Sequence, residues 1–356
     1  MARRTRHVLV GLSLALAMSV AGACGPIAAP TVPSWQRGAS IYPFSPGELT
    51  TPASLSSLKQ LRSLGANYVT LVVPLYQSSV NASAVTTGAN TPTSATLVGA
   101  IRAARAIGLN VLVTFHVDIA DSPGTWRAAI TPADRTGWFT SYGNILTAYA
   151  TLAQTAGASD LCLGVEMNGV ANDTLSADNT AGWITLVRQV RTVFHGRLTY
   201  DANWDSQAGS VRFWSYLDYI GLSGYFPLAG NGSPASLATD WSHWDTTIVH
   251  PLATRWNKRI VFTEVGYRSV IGAHTAPYSW GSVGLPSQAE QANDWTALFA
   301  YWSHRSYFAG VQAWQWYADP NADPRSAPPA ATDYAVQGKS AQSVLRSWFG
   351  GGGTTA

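Results

Sequence analysis

The feature of this sequence that most constrains its fold is the repeated alternation of two kinds of segment. Short runs rich in Val, Ile, Leu and Tyr are separated by longer stretches whose apolar residues recur at helical spacing. Two boundaries, LGANYVTL and IGLNVLVT, place a glycine where a helix would end, with an apolar run directly after it. Strands that alternate with helices pair in parallel through crossover connections, so the pattern predicts an α/β fold.

The alternation contains eight units, which favours a closed (β/α)8 TIM barrel over an open doubly wound sheet. The predicted strands are GASIY (38–42), YVTLVV (68–73), NVLVTFHV (110–117), LCLGVEM (161–167), LTYDAN (198–203), YIGLSGY (219–225), RIVFTEVGY (259–267) and GVQAWQWY (310–317). The predicted helices are 52–64, 93–107, 134–156, 183–194, 213–217, 237–256, 288–304 and 340–349. No GxGxxG motif follows the first strand, which disfavours a dinucleotide-binding fold. We expect one catalytic domain over 38–349, followed by a flexible tail over 350–356.

The N-terminus has the layout of a secretory signal peptide over 1–23. Three arginines precede an uncharged apolar stretch, and small residues then lead to Cys24. Two outcomes remain open: cleavage with lipid attachment at Cys24, as in a bacterial lipoprotein, or ordinary cleavage that releases the protein. The Pro- and Ala-rich segment 24–37 is predicted to be a linker. In either case we expect an exported protein of a bacterium, extracellular or tethered to the cell surface.

Composition narrows the range of functions. Hydrophobic residues make up 46% and charged residues 12% of the chain, which supports a large core and disfavours disorder. The net charge is +3 without a dense basic run after the first ten residues, so no nucleic-acid partner is expected. The only cysteines are Cys24 and Cys162, too few for a disulfide framework. We expect Cys162 to be a small buried hydrophobe, and we expect a monomer with no metal and no cofactor.

The glutamates are few and two of them occupy unusual positions. The chain contains Glu48, Glu166, Glu264 and Glu290 and no others. Glu166 ends the fourth predicted strand and Glu264 ends the seventh, and barrel enzymes place their active sites at these strand ends. Burying a carboxylate is costly, so each one needs either a catalytic role or a structural ion pair. Glu48 lies in a loop, and Glu290 opens a helix whose dipole favours a carboxylate.

A facing pair of carboxyl groups matches the chemistry of glycoside hydrolysis. Retaining enzymes hold two carboxyl groups about 5–5.5 Å apart, one as nucleophile and one as general acid and then base. The environment assigns the roles, because a less solvated carboxyl group has a raised pKa and holds its proton.

Several segments, in order along the chain, show a resemblance to one enzyme family. They are IYPFSPG (41–47), TFHVDIADSPGTWRAAI (114–130), GWFTSYGNILTAYATLA (137–153), LGVEM (163–167), LTYDANWD (198–205), YIGLSGYFPL (219–228), FTEVGYRS (262–269) and AWQWYADP (313–320). In these segments the chain resembles glycoside hydrolase family 113, known for β-1,4-mannanases, within a clan of retaining (β/α)8-barrel glycosidases. The resemblance implies that Glu166 is the acid/base and Glu264 the nucleophile. The clan often has Asn before the acid/base, whereas this chain has Val165, so the contact to the sugar 2-hydroxyl stays unassigned.

Other side chains at strand ends are expected to bind the substrate. They are His116, Asp118, Trp126, Asn203, Trp204, Tyr225, Trp314 and Trp316. Tyr225 is placed to hydrogen-bond the nucleophile, and either Trp314 or Trp316 is expected to stack under the sugar of the −1 subsite. The alternative for each aromatic residue is core packing, and Trp126 could instead brace its own loop. The long polar loops 168–180 and 268–287 are predicted to shape a cleft.

Three hypotheses for function follow. The first is an endo-β-1,4-mannanase that cleaves a polysaccharide or oligosaccharide by double displacement. The second is another retaining β-glycanase of the same clan, acting on glucan or galactan. The third is a surface lipoprotein that binds carbohydrate without cleaving it.

Overall fold

Eight parallel strands close into a barrel in which each strand pairs with the next along the chain and the last pairs with the first. The computed structural model describes residues 34–281, 284–320 and 330–350. The predicted TIM barrel is confirmed. The predicted signal peptide, Cys24 and most of the predicted linker lie outside the described residues, as does the tail after Gly350.

The strands match the predicted order, with small shifts at their ends. They are β1 Gln36–Ile41, β2 Tyr68–Gln77, β3 Asn110–Ile119, β4 Asp160–Val165, β5 Arg197–Asn203, β6 Ile220–Ser223, β7 Ile260–Val265 and β8 Phe308–Ala313. Closure joins Gln36 to Gly310 and Ala39 to Ala313. The predicted linker ends too late, because Trp35 is already buried in the core and β1 begins one residue after it.

Helices surround the barrel, and most begin at a side-chain cap. They are α1 Pro52–Ser63, α2 Ser94–Ala106, α3 Arg135–Ala156, α4 Asn168–Ala171, α5 Ala177–Arg191, α6 Ser206–Ser210, α7 Pro234–Trp244, α8 His250–Trp256, α9 Gln288–Trp302 and α10 Ser340–Phe349. Short 3-10 helices lie at Glu48–Thr50, Arg127–Ala129, Trp214–Tyr216, Ala273–Thr275 and Ala330–Thr332. Thr51, Thr93 and Asp134 accept hydrogen bonds from the first turns of α1, α2 and α3, which satisfies amide groups without a helical partner. No helix among the described residues is both long and apolar enough to cross a membrane.

Three predicted segments differ in the structure. The polar loop predicted over 168–180 instead contains α4 and the start of α5, which Ser176 caps ahead of the first apolar turn. The helix predicted over 237–256 is divided by a π-helical turn, Asp245–Val249, next to Pro251, whose nitrogen cannot donate a helical hydrogen bond. The helix predicted over 213–217 is a 3-10 turn.

An ion pair between a buried aspartate and a half-exposed arginine lies at the N-terminal ends of the strands. Asp160, fully buried at the start of β4, accepts a hydrogen bond of 2.8 Å from Arg197 at the start of β5. Tyr219 donates to the same carboxylate at 3.2 Å. Since active sites of this fold lie at the other end, this cluster stabilises the barrel and leaves the C-terminal strand ends for chemistry.

Candidate active site

A cleft of about 1060 Å³ lies over the C-terminal strand ends. This volume is at the top of the range of about 300–1000 Å³ that small-molecule sites occupy. The strand-end residues predicted from sequence that line it are His116, Asp118, Trp126, Glu166, Asn203, Trp204, Tyr225, Glu264 and Trp314. Both glutamates singled out from the sequence therefore face one cavity.

Glu166 follows the last residue of β4 in a backbone conformation that only a minority of non-glycine residues adopt. Its φ is +52°, in the left-handed region, which costs about 1–2 kcal/mol. The Glu166 amide donates to the Asp201 carbonyl of β5 at 2.8 Å, which holds this turn against the sheet. Such strained residues cluster at active sites, where neighbouring structure imposes the geometry.

The Glu166 carboxylate has two partners from the loop after β3. Trp126 Nε1 donates to Glu166 Oε2 at 2.7 Å, and Arg127 Nη1 lies 3.8 Å from the same oxygen. Arg127 is itself fixed by Asp118 Oδ1 at 2.9 Å, and Tyr42 donates to the other oxygen of Asp118 at 3.1 Å. The loop therefore positions Glu166 through a chain of directed polar contacts.

Glu264, near the end of β7, has a different environment. Tyr225 donates its hydroxyl to Glu264 Oε1 at 2.7 Å, the contact expected from the position of Tyr225 after β6. His116 Nε2 lies 3.7 Å from Glu264 Oε2. Burial and the neighbouring Glu166 raise the pKa of Glu264 to about 7, while Tyr225 and Arg127 oppose that rise. Glu264 therefore ionises at higher pH than an ordinary glutamate.

A third buried carboxyl group lies behind the pair. Asp201 of β5 is about 1% exposed and accepts a hydrogen bond of 3.0 Å from Ser223. Burial, together with Glu264 and Glu166, raises the pKa of Asp201 well above its usual range. Asp201 was not among the site residues predicted from sequence, although a charged residue inside the apolar strand LTYDAN was a usable signal.

The family model that matches this chain is that of Glycoside Hydrolase Family 113, over residues 42–339. The chain belongs to glycoside hydrolase family 113. The match spans every strand from β2 to β8 and both cleft glutamates. The protein is therefore a glycoside hydrolase. None of the curated proteins compared with this sequence matches it.

Solved structures of family 113 enzymes have the same fold as this hydrolase. A complex of a family 113 β-1,4-mannanase is 25% identical, with a TM-score of 0.77, and the match covers 89% of this chain and 99% of that one. The family 113 β-mannanase of Alicyclobacillus acidocaldarius, solved with ManMIm, is 26% identical, with a TM-score of 0.76 and coverage of 89% and 97%. A β-glucuronidase from Ruminococcus gnavus, 13% identical with a TM-score of 0.57, shares the fold alone; coverage is 88% of this chain and 49% of that one.

The two tryptophans after β8 have different surroundings in this family 113 hydrolase. Trp314 lines the cleft and stacks on His116, with ring centroids 5.8 Å apart and planes 13° from parallel. Trp316 instead lies in the main core, where its indole Nε1 donates to Ser57 Oγ at 2.8 Å. The expectation that Trp316 lines the substrate cleft is therefore corrected, and Trp314 is the one of the two tryptophans that does so. Burial and Arg127 keep the pKa of His116 well below its usual range, so His116 is neutral beside Glu264.

Val165 is part of the barrel interior. It is buried against Leu112 and Cys162, so the residue before Glu166 presents no polar group to a sugar. Cys162 is a fully buried free thiol, as predicted. Asn203 is the amide side chain that lines the cleft on the neighbouring strand β5.

The outer walls of the cleft come from loops that sequence patterns only partly indicated. The loop after β2 contributes residues 86–90, and the loop after β7 contributes Tyr278 and Trp280, both about half exposed. Tyr278 stacks on Trp204, with centroids 5.9 Å apart and planes 20° from parallel. Two aromatic residues in an otherwise polar loop were the available signal. The loop 268–287 therefore helps to shape the cleft, whereas 168–180 forms helices instead.

One group of His and carboxylate side chains in the described part of the chain has metal-ligand spacing. It consists of His274, Glu290 and Asp294, none of which lines the cleft. The polar residues of the cleft form a carboxylate and hydrogen-bond site.

Proposed function

We propose that this family 113 hydrolase is a retaining β-1,4-mannanase in which Glu264 is the nucleophile and Glu166 the acid/base. The observation that supports this most is the placement of both carboxyl groups in one cleft, each with its own hydrogen-bond donor. Tyr225 keeps an oxygen of Glu264 oriented, and Trp126 does so for Glu166. The substrate class comes from the family 113 mannanases to which the chain is similar.

The reaction proceeds by two displacements. The Glu264 carboxylate attacks the anomeric carbon while Glu166 gives its proton to the departing glycosidic oxygen, which leaves a glycosyl ester on Glu264. Glu166, now ionised, takes a proton from a water molecule, whose oxygen attacks the anomeric carbon and releases Glu264. Once the ester forms, Glu264 is no longer a free carboxylate, so Glu166 is the member of the pair that can act as the base.

Trp314 and the outer aromatic residues fit a sugar chain. Trp314 forms a flat floor beside Glu264, and Trp204 and Tyr278 form a stacked pair further along the cleft. Pyranose rings pack on such surfaces because their C–H faces are apolar. The size of the cleft and these two platforms favour internal attack on a polymer.

The first experiment measures reducing-sugar release from mannan, glucomannan, cellulose, xylan and galactan. Release from mannan and glucomannan supports the proposed substrate. Release from cellulose or galactan alone would keep the mechanism and reject mannan, and no release from any polymer would favour a protein that binds carbohydrate without cleaving it.

The roles of the two glutamates are tested by rescue. Glu264→Ala should abolish turnover, because it removes the attacking carboxylate, and azide should restore part of it with an inverted glycosyl azide as product. Glu166→Gln should lower kcat by about 10²–10⁴-fold on natural polymers and much less on activated aryl glycosides, which need no proton. Full activity of the alanine variant, or equal losses on both substrates for Glu166→Gln, would contradict the assignment.

We also propose that the enzyme is exported and tethered through a lipid on Cys24. This rests on the N-terminal sequence, with its basic, apolar and small-residue regions directly before the cysteine. Cys24→Ser should move the protein from the membrane fraction to the medium or periplasm, as followed by fractionation. Cys162→Ser, which removes the other thiol, is the matched control. Unchanged membrane association of Cys24→Ser would contradict the lipid anchor.

A further inference from the structure

A compact group of potential ligands lies between the loop after β7 and helix α9. His274 belongs to the 3-10 turn of that loop, and Glu290 and Asp294 lie one turn apart on α9. The Nδ1 atom of His274 and one oxygen from each carboxylate all lie within 4.8 Å of one another. Nδ1 contacts Glu290 Oε1 directly and lies 3.9 Å from Asp294 Oδ1.

The other nitrogen of His274 determines which tautomer is present. Nε2 lies 3.1 Å from the carbonyl oxygen of Gly230, which can only accept a hydrogen bond. Nε2 therefore donates to that carbonyl, which leaves Nδ1 facing the two carboxyl groups. Metal-binding histidines show this arrangement, with the second ring nitrogen donating to a backbone carbonyl.

Asp294 is the strongest indication that this group of side chains binds a ligand. It has no solvent exposure, and neither of its carboxylate oxygens accepts a hydrogen bond. The nearby hydroxyl of Tyr267 is also buried without a partner. A buried carboxylate without a partner is very costly, since it loses its hydration and gains nothing in return. Asp294 faces His274 and Glu290, so a cation bound between the three side chains would give its two oxygens a partner.

We propose that His274, Glu290 and Asp294 bind a divalent transition-metal ion. One imidazole and two carboxylates suit Zn²⁺ or Mn²⁺, whereas Ca²⁺ and Mg²⁺ prefer ligand sets made only of oxygen. Two carboxylate charges balance the charge of the ion, so the buried site becomes neutral. This departs from the expectation of a metal-free protein. The ion is structural: it ties the loop that carries Tyr278 and Trp280 to α9, outside the catalytic pair.

The test uses the purified protein after treatment with a chelator and dialysis. Calorimetric titration with ZnCl2 should show one ion bound per chain, and Tm should rise with added Zn²⁺. Asp294→Asn keeps the shape of the side chain and removes its charge, so it should weaken binding by about tenfold or more and remove most of the Tm shift. His195→Gln, which removes an exposed imidazole elsewhere, should bind Zn²⁺ as the parent protein does.

Three results would overturn the proposal. They are no heat and no Tm shift for the parent protein, unchanged binding by Asp294→Asn, or loss of binding in His195→Gln. If Asp294→Asn fails to fold, His274→Gln removes the nitrogen ligand and should lose binding in the same way. If the parent protein does not bind Zn²⁺ and Asp294→Asn raises Tm, the proposal is wrong, and a proton rather than a metal ion neutralises Asp294. Because binding is measured directly, the result does not depend on which glycan the enzyme cleaves.

Discussion

Glu264 ionises less readily than an ordinary glutamate, because it is buried beside the like charge of Glu166. Together these two effects place the pKa of Glu264 at about 7. The proposed mechanism uses the form in which Glu264 carries the charge and Glu166 carries a proton. Tyr225 favours this form, since its hydroxyl donates to Glu264 and stabilises the carboxylate.

The raised pKa of Glu264 predicts the acidic side of the pH profile. The nucleophile attacks as a carboxylate, so kcat/KM should fall about tenfold for each pH unit below about 7. Arg127 lowers the pKa of Glu264, so Arg127→Met should move this decline to higher pH as well as reduce kcat. The measurement is kcat/KM against pH for both proteins, with Arg188→Met, an exposed arginine on α5, as control. A decline at the same pH in Arg127→Met would contradict the electrostatic role of Arg127.

Residue-level predictions from sequence succeed where a strand defines the direction of a side chain. Glu166 and Glu264 follow apolar runs, and both face the cleft. The choice between Trp314 and Trp316 was open because β8 ends at Ala313, so strand alternation no longer decides which side each residue faces. Asp201 was missed because a mid-strand carboxylate is visible in sequence, but its neighbours across the sheet are not.

At the scale of elements, the loops differ most from expectation. Gly and Asn in 168–180 indicated a loop, yet Ser176 caps α5 and α4 forms before it. Helix α4 packs closely on the loop that positions Trp126 and Arg127. A Cβ atom at Gly169 would lie 2.0 Å from the carbonyl oxygen of Ile130, a contact that needs backbone movement.

This contact predicts the effect of Gly169→Ala. The methyl group should push α4 away from the loop after β3, with a loss of about 1–3 kcal/mol in the free energy of unfolding and a lower kcat through Trp126 and Glu166. Thermal unfolding and steady-state kinetics measure the two effects. Gly209→Ala is the matched control, because a Cβ atom at this exposed helical position meets nothing within 4 Å. Equal stability and activity in both variants would show that α4 does not support the catalytic loop.

At the scale of the whole molecule, local patterns predicted the barrel because the strands lie around it in the same order as along the chain. Each strand pairs with the next, so eight repeated units determine the neighbours of every strand. Closure is the exception, since it joins Gln36 to Gly310 across the length of the domain. A Cβ atom at Gly310 would lie 2.2 Å from the carbonyl oxygen of Gln36, so closure depends on a glycine that no local pattern singles out.

The buried pair should also make the stability of the whole domain depend on pH. The pKa of Glu264 is about 7 in the folded protein, whereas its ordinary value is 4.5, so between these values the folded state binds more protons than the unfolded state. Stability must therefore fall as pH rises through this window, by about 3 kcal/mol, since each pH unit is worth about 1.4 kcal/mol for one proton. Glu264→Gln removes this group and should be the more stable protein above pH 7.

Denaturant unfolding of both proteins across that window measures the difference. The free-energy curves should diverge steadily as pH rises and become parallel again once Glu264 is fully ionised. His116 is present in both proteins, so its contribution cancels in the difference between their free energies of unfolding. In Glu264→Gln, Asp201 loses one of the charges that raise its pKa, and this change also favours the variant as pH rises. Curves that stay parallel throughout would mean that the folded barrel tolerates both charges. Any loss of folding stability caused by the active site would then have another origin, and the left-handed backbone of Glu166 is the first candidate.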